Sequence, residues 1–112
     1  MSRTFAKNSN DPDFLKFLSE DDVLQPLALK VNWVGALNRW IKIIEACPEV
    51  DMEVYIVQGT DDGTVDFKHN IRVLKKKFSR CHIQYIEGGR HQLVNESAEK
   101  RDQVMQYLTP LL

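Results

Sequence analysis

The chain has 112 residues, 43% of them hydrophobic and 28% charged, with a formal net charge of -1. That length gives one small domain. The composition is that of a folded globular chain rather than a disordered one, and the near-neutral charge argues against a nucleic-acid surface.

Residues 1–10 read as a loose, polar lead-in. Asp11-Pro12 then starts a short helix, with Asp11 as N-cap and Pro12 in the first turn. Phe14, Phe17 and Leu18 share one face of it. Asp21 to Lys30 holds Pro26 and shows no clear period, so it is a connector. From Asn32 to about Ala46 the helical signal is strong: Trp33, Leu37, Trp40, Ile41 and Ile44 form a stripe expected to be buried. Pro48 ends that helix.

Met52 to Val57 is a strand rich in β-branched residues, expected to be covered on both faces. An acidic turn follows in QGTDDGTVD, Gln58 to Asp66. A second helix from Asp66 to Ser79 puts Phe67, Ile71, Leu74 and Phe78 on one face. Its late run Lys75-Lys76-Lys77 reads as a solvated end at the negative pole of the helix dipole. Cys81 to Ile86 alternates like a less buried edge strand, and Gly88-Gly89 breaks it. A last helix runs from about Ser97, its N-cap, to Leu108, burying Val104, Met105 and Leu108; Pro110 stops it.

Strand, helix, strand, helix makes a parallel α/β unit. Two parallel strands are too small a sheet to stand alone, and their edges stay unpaired. The expected fold class is therefore α/β, as the end of a larger sheet. No run approaches the roughly 18 apolar residues of a membrane span. The N-terminal stretch MSRTFAKNSNDPDF lacks the apolar core of a signal peptide. Cys47 and Cys81 have no CxxC spacing and read as reduced core residues of a cytoplasmic protein.

The acidic turn admits two chemical readings. TDDGTVD resembles the D-x-D-G-T motif of haloacid-dehalogenase-like phosphatases, with Asp62-Gly63-Thr64 matching its later part. The nucleophile position then falls on Thr60, which cannot form an aspartyl-phosphate. The other reading is the acid of a hydrolase triad. It needs a His at the end of the next parallel strand, since neighbouring strands present their C-terminal loops on one edge. GGRHQLVNES supplies His91 there. An Asp accepting from the imidazole Nδ1–H fixes the tautomer and stabilises the imidazolium that forms on proton transfer.

VYIVQGTDDGTVD followed by IQYIEGGRHQLVNE resembles the C-terminal part of α/β-hydrolases, in the lysophospholipase and monoacylglycerol-lipase-like group. The resemblance runs from about residue 32 to the C-terminus. It implies that residues 32–112 are the C-terminal α/β portion and residues 1–31 the end of a cap region with its connector. It implies Asp62 as triad acid and His91 as general base, with Asp61, at a position the family leaves variable, as fallback acid; Asp66 reads better as the N-cap of the following helix. Arg90 and Glu96 read as a pair, either ordering the His loop or as a plain surface pair, and His69 and His82 read as structural, since neither has a partner at motif spacing. A lipid-like ester is the implied substrate, and no cofactor or metal is called for.

The nucleophile has no place in these residues. The family uses G-x-S-x-G, and Ser2, Ser9, Ser19, Ser79 and Ser97 all lack that setting. The loop that would build an oxyanion hole is absent too, so this chain alone is expected to be inactive. Three accounts fit: a piece of a longer enzyme, a polypeptide that completes a sheet with a partner half, or a non-catalytic α/β module that associates through its open strand edge.

Overall fold

The structure is a computed structural model describing residues 4–24, 26 and 28–112. It contains α1 (Pro12–Lys16), which widens into one further turn at Phe17–Asp21, then α2 (Val31–Ala46), β1 (Val50–Gly59), α3 (Phe67–Lys77), β2 (Phe78–Ile86) and α4 (Ala98–Leu108). Single tight turns occupy Leu93–Asn95 and Thr109–Leu111. Part of the connector read at Asp21 to Lys30 lies outside the described residues.

β1 and β2 pair in parallel, with Val54 opposite Cys81, Ile56 opposite Ile83 and Gly59 opposite Ile86. Among the described residues this sheet has two strands. The chain is thus mixed α/β, with helices flanking a parallel pair. A parallel pair needs a crossover, and α3 supplies it. Both ends of α3 are set locally. At the start, Asp66 accepts from the His69 amide at 2.9 Å. Removing that cap with Asp66→Ala is expected to cost about 1 kcal/mol, seen as a lower urea midpoint at unchanged slope. At the other end α3 runs straight into β2. Lys77 is not merely solvated, as its charge run suggested. Its ammonium donates to the Glu45 carbonyl at 2.7 Å and to that of Cys47, capping the C-terminal end of α2.

The start of α1 is also as the sequence dictates: Asp11 accepts from the amides of Asp13 and Phe14. α4 differs. Ser97 stands at its N-cap without a side-chain hydrogen bond. Instead, the Ser97 amide donates to the buried Glu96 carboxylate at 3.2 Å. Val104 is buried and Leu108 half-buried, but Met105 is exposed.

The larger corrections concern burial. The α2 stripe is amphipathic as expected, yet uncovered: Trp33 is 52% and Trp40 58% exposed, with Leu37, Ile41 and Ile44 exposed beside them. Periodicity specifies a face that must be covered; it does not supply the cover. β1 is likewise not covered on both faces, since Val50, Met52 and Tyr55 are exposed. Cys47 and Cys81 are both free, but Cys47 is exposed rather than part of a core. The compact part of the molecule gathers Phe5, Leu18, Ile71, Ile86 and Val104. Ile86 is the last residue of β2. Residues 5–10, expected to be loose, are packed there as well: Phe5, Asn8 and Ser9 are buried. Among the described residues no helix is long and apolar enough to cross a membrane.

Candidate functional site

The site forms where both parallel strands end. The loops that follow them are joined by backbone contacts. The Thr60 amide donates to the Ile86 carbonyl at 3.0 Å and the Asp61 amide to the Gly89 carbonyl at 2.9 Å. The Thr60 hydroxyl accepts from the Gly88 amide at 2.8 Å. Thr60 is therefore part of the loop framework, which leaves the phosphatase reading without a nucleophile in structure as in sequence. Gly88 turns the chain at φ 63°, a conformation that costs glycine little. Gly59 permits the close approach. A Cβ there would overlap the Gly89 carbonyl and lie 2.7 Å from the Arg90 oxygen.

This framework brings Asp62 and His91 together. The His91 Nδ1–H donates to Asp62 Oδ2 at 3.0 Å. A carboxylate can only accept, so Nδ1 carries a proton, and in the neutral ring Nε2 keeps its lone pair. Nε2 makes no hydrogen bond among the described residues. The Asp62 side chain is 4% exposed and that of His91 35%, so one partner is held inside while the other reaches the surface.

Asp62 is fixed from both sides. Oδ1 accepts from the amides of Thr64 at 3.0 Å and Val65 at 3.3 Å, folding the turn around its own side chain. Oδ2 accepts from His91 and, at 3.3 Å, from the Gln58 side-chain amide. Burial by itself would push the Asp62 carboxyl up. The hydrogen bonds from His91, Thr64, Val65 and Gln58 together outweigh it and hold the carboxyl below its ordinary value of 3.8. A depressed folded-state value contributes stability that is present above the unfolded-state value. That stability is lost as pH falls through the folded-state value. The melting-temperature advantage of the native chain over Asp62→Asn is therefore expected to hold from pH 7 to about 4 and to shrink below it, as followed by circular dichroism.

The other candidates separate cleanly. Asp61 is exposed, and the imidazole turns to Asp62 instead. Asp66 is the α3 cap. His69 meets Glu45 at 2.9 Å and His82 meets Glu53 at 3.0 Å, the latter stacked on Tyr55; both pairs lie outside the site. Arg90 and Glu96 do not form the expected side-chain pair. Glu96 takes the Arg90 backbone amide at 2.7 Å, while the guanidinium donates to the carbonyls of Ala6 and Ser9. Sequence reasoning missed Gln58, Thr60 and Thr64 as supports, although an Asp followed two residues later by Thr is a recognisable side-chain turn. It also missed Asn8, Ser9 and Asn10, whose contacts lie far along the chain and leave no local signal.

Among the described residues no group of three or more His, Cys, Asp or Glu could hold a metal ion. An open cleft of about 520 Å³ adjoins the acid, lined by Lys7, Thr60, Asp61, Asp62, Gly63 and Arg90 among others. A hollow of about 650 Å³ along α2 lies elsewhere and is the uncovered apolar face of that helix. No protein-family model matches the chain, and none of the curated proteins matches it.

Proposed function

We propose that this chain is the acid-and-base portion of a serine ester hydrolase, the C-terminal part of an α/β-hydrolase fold. One observation carries the reading: a buried Asp62 accepts from Nδ1 of a solvent-reaching His91, on the rim where two parallel strands end. That is the arrangement an acyl-transfer base needs. With Nδ1 on Asp62, Nε2 of the half-exposed ring would take the proton from a Ser hydroxyl supplied outside these residues. The Ser oxygen attacks the ester carbonyl. His91 then passes the proton to the departing alkoxide, and Asp62 stabilises the imidazolium in between. Water repeats the sequence on the acyl-enzyme and releases the acid.

The resemblance noted above makes a lipid-like carboxylic ester the proposed substrate, with residues 1–31 as the end of a cap. The part of the enzyme that holds the nucleophile would also cover the apolar face of α2. Free Cys47 and Cys81 suit a cytoplasmic setting. The reading calls for no cofactor.

The test is an intact-mass spectrum of the native protein after treatment with a fluorophosphonate probe. A labelled species heavier than 13.0 kDa that contains this chain, or a labelled companion, is expected. An unlabelled chain of 13.0 kDa with no companion would overturn the proposal. It would favour the alternative drawn from the open strand edge and the uncovered α2, a non-catalytic module that associates with copies of itself.

A further inference from the structure

The residues ahead of α1 lie across both loops of the site. The Gln92 amide donates to the Asn8 carbonyl at 2.7 Å. The Arg90 guanidinium donates to the carbonyls of Ala6 at 2.7 Å and Ser9 at 2.6 Å. So the segment grips the residue on each side of His91. It also reaches the acid side, where the Thr64 hydroxyl donates to Asn8 Oδ1 at 3.2 Å.

Glu96 closes this strap. Its side chain is fully buried, at 0% exposure. Oε1 accepts from the Arg90 amide at 2.7 Å and from Asn10 Nδ2 at 3.1 Å. Oε2 accepts from the amides of Asn10 at 2.9 Å and Ser97 at 3.2 Å. Four N–H donors converge on two oxygens. A carboxylate offers two oxygens that only accept; a glutamine would turn an NH₂ against two of those donors. His91 itself is too exposed for packing to fix its ring. Its orientation depends on Asp62 and on how firmly its backbone neighbours are held.

We propose that Glu96 is a positioning residue for His91: by clasping Asn10 and the Arg90 amide, it locks the 5–10 strap over the loop and keeps the imidazole on Asp62. This rests on the triad reading above. It assigns a role to a residue whose side chain stays clear of the imidazole and acts through its neighbours.

Imidazole NMR on the full chain tests it, with His69 and His82 as internal references. The native protein should show a protected His91 Nδ1–H signal. Glu96→Gln should lose that signal while His69, His82 and the amide dispersion hold. Asn10→Ala is the milder variant, removing the Nδ2 bonds to Glu96 and to the Gly88 carbonyl. It should weaken the His91 signal in a chain that remains folded. If Glu96→Gln collapses the amide dispersion, Asn10→Ala decides. An unchanged His91 signal in a folded Glu96→Gln chain, or in Asn10→Ala when Glu96→Gln unfolds, overturns the positioning role. Asp62→Asn separates the two readings: a Nδ1–H signal that survives there overturns the triad pairing itself, whatever Glu96 does.

Discussion

Asp62→Asn in the proposed complete hydrolase is expected to lower kcat about 10³–10⁴-fold while leaving the fold in place. The hydrogen bonds around the side chain say why. The amides of Thr64 and Val65 both donate to Oδ1, so an asparagine keeps its carbonyl oxygen on that side. Its NH₂ then occupies the Oδ2 position, facing His91. Nδ1 must accept instead of donate, and the ring proton moves to Nε2. An imidazole protonated at Nε2 cannot take the proton of a serine. The turn around residue 62 survives, because its two backbone bonds are kept. Turnover measured beside far-UV circular dichroism checks this, and a normal kcat in Asp62→Asn would sink the proposed chemistry.

The second large effect is structural and needs no substrate. Gly59→Ala places a methyl group against the Gly89 carbonyl and 2.7 Å from the Arg90 oxygen. Both obstacles are backbone, which cannot swing aside as a side-chain tip can. The loops must part, and the contacts Thr60–Ile86 and Asp61–Gly89 part with them. A loss of roughly 3 kcal/mol is expected, at the upper end of overpacking, with a urea midpoint that falls at constant slope. Gly35→Ala is the matching control. There the new Cβ meets only the Arg39 guanidinium at an ordinary 3.6 Å. In mid-helix an alanine is worth up to about 1 kcal/mol over glycine. Destabilisation by Gly35→Ala equal to that of Gly59→Ala would remove the close-approach argument.

The parallel unit and the pair on its rim were legible in the sequence because their signals are local. A β-branched run marks β1 and an apolar–polar alternation marks β2, Asp66 stands directly before an apolar helical stripe, and the acidic turn and His91 each follow closely on a strand. Asp62 rather than Asp61 follows from the resemblance, and the structure places Asp62 alone on the imidazole. What stayed hidden depends on partners. The α2 stripe shows which face avoids water, but the described residues leave it open. Opposite charges at Arg90 and Glu96 suggested an ion pair, whereas the guanidinium is taken up by backbone carbonyls and the carboxylate by three backbone amides and the Asn10 side chain. A carboxylate that collects amides looks the same in sequence as one that meets a guanidinium. The polar Asn8-Ser9-Asn10 run gave no hint that Asn8 and Ser9 would be buried and Asn10 held by Glu96, since these partners are recognised only once the chain has folded back.

That folding back sets an order of events. The Ser9–Asn95 and Asn10–Glu96 contacts each span 86 residues. Closing a loop of that length costs on the order of 4 kcal/mol in chain entropy. The β1–α3–β2 unit closes a far shorter loop and can form first, leaving the strap to dock on a surface already built. Whatever docks last also opens first. The strap and the His loop it holds are thus expected to open before the sheet: the amides of Asn10 and Gln92 should exchange through local opening, ahead of those in the paired strands. The strap holds His91 through both of its chain neighbours and the acid turn through Thr64 alone, so its opening should loosen the His loop more than the acid turn.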